Sequence, residues 1–285
     1  MVEIAHAKPD EREEIAQFMD RVFTKARWGM DQWRALLVGR WSKPEDIYAV
    51  TVRDGTDLVG VLGLVTAHRP TEAGPRITAN MSSWYVLKPF RGGGVGRRMV
   101  ECAAADPAVT VTNFTSSPNA VRVIEQAGLT VLDRDRLIWH PRTRATKRLS
   151  VHDDPLGSGL IGDRDARVVA DHAGLNLTPL LIETPDGPLV LVLAIKQKSD
   201  DRVTHEIMYL GDRDLFARHA RAIADSLLPA SGAILSVDPR LVPPEITPDT
   251  TEPFSVPRYY TPGRMDARAI DHLYSETVLL DVKLF

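Results

Sequence analysis

The residues with the clearest chemical potential form one glycine-rich segment, Arg91-Gly92-Gly93-Gly94-Val95-Gly96. It lies between a predicted strand and a predicted helix. A helix N-terminus offers unpaired N–H groups and a favourable dipole to an anion. Glycines permit the loop conformation and let phosphate oxygens approach the backbone, while Arg91, Arg97 and Arg98 add positive charge. The segment therefore predicts a phosphate or pyrophosphate site, with a glycine-rich turn that binds nothing as the alternative.

Three kinds of phosphate loop compete for this segment. A Walker-type loop needs Gly-Lys followed by Ser or Thr, which the segment lacks. A dinucleotide fingerprint needs a parallel βαβ start, whereas an antiparallel meander is predicted before this loop. The third is the coenzyme A loop of the GNAT acyltransferases, Gln/Arg-x-x-Gly-x-Gly/Ala, which Arg91, Gly94 and Gly96 match in order. The preceding Trp84-Tyr85-Val86 resembles the usual strand of that family.

A second segment resembles the same family. Asn119-Ala120 begin a helix that ends at Gly128-Leu129, similar to the family's Asn-x-x-Ala…Gly-Phe pattern. The resemblance covers residues 1–142 and implies an acyl-CoA co-substrate, whose pantetheine arm pairs with the strand and whose pyrophosphate is held by the loop. The cofactor-binding residues that it implies are Trp84, Val86, Arg91, Gly92, Gly93, Gly94, Val95, Gly96, Arg97 and Asn119.

The resemblance also implies direct transfer of an acyl group from the thioester to an amine. A base removes a proton, an N–H group near Val86 polarises the carbonyl, and an acid protonates the thiolate. Many members have a tyrosine as this acid, but here the position is Ile124. A thiol pKa of about 8.5 still makes thiolate departure feasible. The candidate catalytic residues are Tyr85, for which a packing role is the alternative, and Asn119, which would lie near the thioester.

The general base and the acceptor site are less defined. Residues that could relay a proton through water, or be structural, are Ser82, Ser83, Asp133 and His140. In the family, the loop between the first two helices builds part of the acceptor site, and here it contains Trp28, followed by Trp33. Aromatic side chains can form a substrate wall or can fix helices onto a sheet. Trp28 and Trp33 are therefore candidate substrate-binding residues, with both roles open.

The predicted elements show how the loop would be positioned. Apolar residues at helical spacing predict a first helix over residues 9–23. Two strands, at 47–52 and 58–66, flank Asp54-Gly55, a strong hairpin signal. The elements predicted after them are a strand at 77–87, the loop with its helix, a strand at 109–114, a helix at 118–127 and strands at 129–132 and 137–140. This order predicts an α/β fold of the α+β type, with a mixed, mainly antiparallel sheet flanked by helices.

The second half repeats this order of elements. Its predicted elements are strands at 180–183, 189–196 and 203–210, a helix at 212–228, a strand at 233–237, a loop at 239–262, and a helix at 270–276 leading into a strand at 277–282. We infer a divergent duplication: a GNAT-like domain over residues 1–145, a linker within 143–158, and a degenerate GNAT-like domain over 146–285. The junction that corresponds to the phosphate loop has one glycine and two aspartates, so we expect no coenzyme A binding in this half.

Composition limits the classes of function. The chain is 44% hydrophobic and 26% charged over 285 residues, which is ordinary for roughly two globular domains. A net charge of −3 argues against a nucleic-acid partner. The single cysteine excludes an intramolecular disulfide, and the histidines show no metal-ligand spacing, so no metal is predicted. No signal peptide and no apolar run of roughly 18 residues are present, so we expect a cytoplasmic protein without a membrane partner.

Together with this composition, the resemblance implies a cytoplasmic N-acyltransferase that uses acetyl-CoA, or another acyl-CoA, as co-substrate. Its acceptor would be the amine of a small molecule or an amino-sugar-like compound. The alternative is an acyl-CoA-binding sensor or scaffold without turnover, which Ile124 and the missing base suggest. The second half is expected to complete the acceptor pocket, to cover the sheet of the first domain, or to form a homodimer.

Overall fold

The computed structural model describes residues 2–26, 28–142, 148–197, 202–229 and 231–281. The chain forms two compact units. Of the described residues, the first unit holds 2–132, 256–266 and 274–281, and the second holds 133–255 and 267–273. The predicted domain boundary after residue 145 lies outside the described residues and stays a prediction.

The secondary structure alternates strands and helices along the whole chain. In the first half the elements are β1 Glu3–His6, α1 Arg12–Val22, α2 Met30–Val38, β2 Ala49–Asp54, β3 Asp57–Arg69, β4 Arg76–Val86, α3 Val95–Ala103, β5 Val109–Asn113, α4 Pro118–Gln126 and β6 Thr130–Trp139. The elements that follow are β7 Ser150–His152, α5 Asp163–Asp171, β8 Thr178–Thr184, β9 Gly187–Gln197, β10 Val203–Leu210, α6 Arg213–Leu227, β11 Ala233–Val237, β12 Thr250–Tyr260 and α7 Glu276–Leu279.

The sheet of the first unit begins as an antiparallel meander. Strand β1 pairs with β2, β2 with β3 and β3 with β4, all antiparallel. Strand β5 then pairs in parallel with β4, and the end of β12 pairs antiparallel with β5. The turn between β2 and β3 lies at the predicted Asp54-Gly55, where Gly55 has a φ of +59°. The predicted mixed, mainly antiparallel sheet is confirmed.

Helices cover both faces of this sheet. Leu62 of β3 is buried with Met99 of α3 and Ile124 of α4. Its neighbour Val61 is buried with Phe18 of α1, because successive strand residues point to opposite faces. The glycine loop before α3 is thus held between a covered strand and a helix that packs on it. In the described parts of the chain, no helix is both long enough and apolar enough to cross a membrane.

The second unit repeats the pairing of the first. Strands β8, β9 and β10 pair antiparallel in sequence, and β11 pairs in parallel with β10. The parallel ladder ends at Asn80 and Thr112 in the first unit, and at Glu206 and Ser236 in the second. The matching order and direction of the strands agree with the predicted duplication, and the second α/β unit confirms the predicted fold class.

Several of the local predictions are wrong. The strands predicted at 129–132 and 137–140 form the single strand β6, and the linker predicted within 143–158 contains β7. The loop predicted at 239–262 contains β12, although Pro253 and Pro257 lie in it. A strand accepts proline where its N–H is not needed by a neighbour. On the β5 side of β12 the ladder begins only at Tyr259, after both prolines.

The predicted C-terminal helix and strand are also wrong. Instead of a helix at 270–276 and a strand at 277–282, a 3₁₀ turn forms at Ala267–Ala269 and α7 covers Glu276–Leu279. Thr277 and Val278 are β-branched, a residue type that is common in strands, but both are buried within a helical turn. Tertiary burial therefore overrides the local preference here.

Glu252 of β12 should make the stability of the second unit sensitive to acid. Hydrogen bonding from Arg202 lowers the pKa of Glu252 from 4.5 to about 2. Burial opposes this shift, and a hydrogen bond from Arg136 adds to it. Because the folded-state pKa is depressed, the stabilisation is present above the unfolded pKa and is lost as the pH falls from 4.5 towards 2.

We expect Glu252→Gln to lower the free energy of unfolding at pH 7 by on the order of 1–2 kcal/mol, since the partly exposed pair is screened. Thermal melts across the acidic range would check this. Most of the titration of Glu252 falls between pH 5 and pH 2.5. Over this range the melting temperature should fall less in the variant than in the wild type. Equal losses in the two proteins would contradict the assignment.

Candidate active site

The predicted phosphate loop lies between β4 and α3, and its conformation depends on glycine. Gly92, Gly93 and Gly94 have φ values of +97°, +54° and +76°, which residues with a Cβ atom rarely adopt. A Cβ added at any of the three would meet no atom within 4 Å. The backbone conformation, rather than crowding, therefore requires these glycines, and the space above the loop is open.

An open cleft of about 470 Å³ lies at this loop. Its lining residues come from the loop, from α3 and from α4: Gly92, Gly94, Val95, Gly96, Arg97, Val123 and Gln126. The N-cap of α3 is Gly94, which has no side chain to accept a bond from the N–H groups of the first turn, and no acidic residue lies in that turn. An uncapped helix N-terminus in the wall of a cleft favours a phosphate group.

The two predicted arginines differ in their relation to the cleft. Arg97 lines it and pairs with Glu101 one helical turn later (Nε to Oε1, 3.4 Å). Arg91 turns back to β4, where its Nε donates to the carbonyl oxygen of Val86 at 2.7 Å and its guanidinium lies 5.0 Å from the centre of the Tyr85 ring. The structure thus places Arg97 at the cleft, and Arg91 on the end of β4.

Strands β4 and β5 separate near the loop. Their parallel ladder ends at Asn80 and Thr112, although β4 continues to Val86. A register shift in the pairing of β3 with β4, between Met81 and Trp84, marks a β-bulge at the same place. Residues 81–86 therefore lie beyond the ladder with β5, on the stretch of strand predicted to pair with the pantetheine arm.

Trp84 and Tyr85 lie on opposite faces of the sheet. The Nε1 atom of Trp84 is 3.4 Å from the sulfur of Met99, and a Cβ at Gly96 would come within 3.0 Å of the indole ring. The Tyr85 ring packs against Phe23 on the other face, with ring centroids 5.6 Å apart. The Trp84 ring therefore leaves no room for a side chain at Gly96, whereas the three loop glycines are required by their backbone conformation. The role of Tyr85 as an acid stays a prediction.

Helix α4 carries the other candidate catalytic residue. Asn119 is its second residue and is exposed, shortly after the end of β5. Ile124, at the position of the family's usual tyrosine, is fully buried in the core. The side chain at position 124 is therefore part of the packing between α4 and the sheet.

The two tryptophans predicted at the acceptor site lie together. Trp33 is buried, with its ring 5.4 Å from Phe23. Trp28 packs edge-on against Trp33 at 5.2 Å and keeps part of its surface exposed. Of the two open roles, the geometry favours packing for Trp33 and leaves Trp28 with surface for a substrate.

A buried carboxyl group that the sequence analysis missed lies where β4 and β5 separate. Glu276 is the first residue of α7 and is 5% exposed. Its backbone N–H donates to Oδ1 of Asn80 at 3.0 Å, and its side chain accepts a hydrogen bond from the Thr115 hydroxyl. Burial raises the pKa of Glu276, while the hydroxyls of Thr115 and Ser82 oppose the rise. Because Thr115 lies 161 positions away along the chain, no local pattern could indicate this contact.

In the second unit, the corresponding strand-to-helix junction contains acidic groups. Asp212 is the N-cap of α6, and its Oδ1 accepts from the N–H of Leu215 at 2.8 Å. Asp165 accepts a hydrogen bond from Tyr209 at 2.5 Å, and its Oδ2 would lie 2.6 Å from a Cβ at Gly211. A carboxylate thus caps the helix where a phosphate would need to approach. This agrees with the expectation that the second half does not bind coenzyme A.

The second unit also contains a buried group with metal-ligand chemistry. Glu206, Asp238 and His272 place ligand atoms within 4.8 Å of one another. However, the guanidinium of Arg240 contacts the carboxylates of Asp238 and Asp133, and Nε2 of His272 lies 2.5 Å from the same Asp238 oxygen. That oxygen already interacts with two nitrogen groups, so we interpret the group as an ion network. The expectation of no metal stays a prediction.

Comparison with known proteins bears on the first unit above all. Residues 11–119 match the model of the acetyltransferase (GNAT) family. This match includes the glycine loop, the end of β4 and Asn119. A search of functionally described proteins found no match.

Solved structures resemble the chain over most of its length. The GCN5-related N-acetyltransferase from Anabaena variabilis is 8% identical, with a TM-score of 0.53, and the alignment covers 91% of this chain and 72% of that protein. The GCN5-related N-acetyltransferase from Kribbella flavida is 11% identical, with a TM-score of 0.54, and the alignment covers 91% of this chain and 70% of that protein. A conserved protein of unknown function from Enterococcus faecalis, described as a probable N-acyltransferase, is 10% identical, with a TM-score of 0.53 and coverages of 91% and 72%. At these identities the likeness concerns the fold.

Proposed function

Because residues 11–119 match the model of the acetyltransferase (GNAT) family, we propose that the chain is an acyl-CoA-dependent N-acyltransferase of that family. It transfers an acetyl or other acyl group to the amine of a small molecule or an amino-sugar-like acceptor. The observation that carries the proposal is the open cleft at the N-terminus of α3, which follows in sequence the part of β4 that extends beyond its ladder with β5.

The cleft suits the pyrophosphate of coenzyme A. The φ values of Gly92, Gly93 and Gly94 keep side chains away from the loop, so that phosphate oxygens can reach the backbone. The α3 dipole and Arg97 supply positive potential. The part of β4 beyond Asn80 offers backbone groups to the pantetheine arm, and Asn119 is exposed in the first turn of α4, which follows β5.

The reaction is a direct transfer between bound substrates. The amine nitrogen forms a bond to the thioester carbon, the carbon–sulfur bond breaks, and the amine proton is finally recovered by the thiolate of coenzyme A. A backbone N–H near Val86 polarises the carbonyl oxygen as charge develops on it. Tyr85 and Asn119 are the candidate groups for protonating or orienting the thiolate.

The competing hypothesis is an acyl-CoA sensor without turnover. It is favoured by Ile124, which is buried in the core and occupies the position of the usual acid. The two hypotheses agree on binding and differ only in whether coenzyme A is released in the presence of an amine.

Two measurements on the whole chain test the proposed function. Calorimetric titration should give micromolar binding of acetyl-CoA and of free coenzyme A, and no binding of NAD. A thiol assay with acetyl-CoA and a panel of primary amines (glucosamine, spermidine and a dipeptide) should then detect release of coenzyme A. Binding without release would favour the sensor, and no binding at all would mean that the glycine loop serves another purpose.

A further inference from the structure

We propose that Glu276 accepts the proton of the acceptor amine, through the hydroxyl group of Thr115. The inference rests on the proposed acyl transfer and assigns the base that the sequence analysis left open. It derives from the position of one buried carboxyl group between two separated strands.

Glu276 is fixed at the point where β4 and β5 separate. Asn80, the last residue of β4 in the parallel ladder, donates through Nδ2 to Oγ1 of Thr112 on β5 at 3.0 Å. The Oδ1 atom of the same Asn80 accepts the backbone N–H of Glu276 at 3.0 Å. The first turn of α7 is thus attached to the end of the ladder, next to the strand edge that the thioester is proposed to occupy.

The surroundings of Glu276 are unfavourable for a purely structural carboxylate. A buried charge is usually compensated by an ion pair. Among the residues that the structure describes, Glu276 forms no ion pair, and its side-chain partner is the hydroxyl of Thr115. The guanidinium of Arg69 lies over the ring of Tyr274, two positions before Glu276, at 5.0 Å from its centre. A buried carboxyl group that is hydrogen-bonded by a hydroxyl group and forms no ion pair is a candidate for proton transfer.

Thr115 connects this buried group to the surface. It lies in the turn between β5 and α4, four residues before Asn119, and is exposed, whereas Glu276 is buried. Its hydroxyl donates to Oε1 of Glu276. An amine placed at the thioester would therefore meet the oxygen of Thr115 first, and the carboxylate behind it.

The proposed transfer balances in protons and electrons. As the amine lone pair forms the carbon–nitrogen bond, the amine proton passes to Oγ1 of Thr115, and the hydroxyl proton of Thr115 passes to Oε1 of Glu276. The carbon–sulfur bond breaks with its electron pair on sulfur. The thiolate then recovers a proton from Glu276, either directly or through water to which Glu276 gives up the proton it accepted, and Glu276 returns to its ionised form.

The decisive variant is Glu276→Gln, which keeps the shape and removes the ionisable group. We expect kcat with the best amine of the panel to fall by roughly 100-fold, in the range typical for loss of a general base. The Kd for acetyl-CoA should stay within twofold of the wild type. The acidic limb of the pH profile of kcat should disappear.

Thermal stability separates this role from a structural one. Burial raises the pKa of Glu276, so ionisation opposes folding once the pH exceeds the unfolded pKa, and the cost grows until the pH passes the folded value. The melting temperature of Glu276→Gln at pH 7.5 should therefore equal or exceed that of the wild type. A structural hydrogen-bonding group would instead give a lower melting temperature together with weaker coenzyme binding, which would overturn the proposal.

Thr115 offers a matched pair of variants. Thr115→Val removes the hydroxyl and should lower kcat at least tenfold, whereas Thr115→Ser keeps it and should stay within threefold. A wild type that turns over an amine while Glu276→Gln retains kcat within threefold would refute this inference alone. A wild type without turnover of any amine would overturn the proposed function, and this inference with it.

Discussion

Substitution of Gly94 by valine is expected to raise the Kd for acetyl-CoA by roughly 100-fold or more while the first unit stays folded. Gly94 has a φ of +76°, which a β-branched residue adopts only at a cost of about 1–3 kcal/mol. The valine would also project into the open space above the loop, where the phosphate is proposed to lie. A loss of about 2.8 kcal/mol in binding corresponds to a hundredfold change in Kd.

Gly74→Val is the matched control for this experiment. Gly74 lies before β4 with a φ of +90°, and an added Cβ there would also meet no atom within 4 Å. Both variants should lower the melting temperature to a similar extent, but only Gly94→Val should weaken acetyl-CoA binding in calorimetry. If Gly94→Val is folded and binds acetyl-CoA with wild-type affinity, the phosphate site does not lie at this loop.

Gly96→Ala should behave differently from Gly94→Val. A Cβ at position 96 would lie 3.0 Å from the Trp84 ring and 3.4 Å from Val123, so the substitution strains the packing of α3. Gly94→Val tests ligand binding, because no atom lies close to the added side chain. Gly96→Ala also changes the packing of α3, so a loss of binding in that variant has two possible causes.

The sequence could predict the part of the site that depends on local chemistry. Gly92, Gly93 and Gly94 are required by backbone conformation, and their position between a strand and a helix follows from hydrophobic periodicity. The aspartates at the corresponding junction of the second unit could be predicted in the same way, from their position between a strand and a helix. Both features are contained within a few consecutive residues.

The features that the sequence could not predict depend on contacts between residues that are far apart in the chain. The local sequence predicted that Glu276 ends a helix at 270–276, and only the folded chain brings it to Asn80 and Thr115. Strand β12 was missed for a related reason, because its prolines suggest a loop and its pairing with β5 lies far away in sequence. The hairpin at Gly55, by contrast, is encoded by its own turn.

The second large expected effect concerns the ion network of the second unit. The Arg240 guanidinium lies between the carboxylates of Asp133 and Asp238, and all three side chains are buried. Burial lowers the pKa of Arg240, but the two carboxylates outweigh it, and the pKa is raised overall. Arg240→Met should therefore destabilise the second unit by about 3–5 kcal/mol, because it removes a guanidinium that both buried carboxylates contact.

Hydrogen–deuterium exchange would localise this effect. The amides of β10 and β11 should exchange roughly 100-fold faster or more in Arg240→Met, since about 3 kcal/mol of local stability would be lost. Arg218→Met is the matched control, because the Arg218 side chain is 55% exposed and pairs with Asp186 at the surface; its exchange should be nearly unchanged. If uncompensated charge is the cause, adding Asp133→Asn and Asp238→Asn to Arg240→Met should restore part of the protection. Protection that stays low in the triple variant would show that lost packing around the Arg240 stem, rather than charge, dominates.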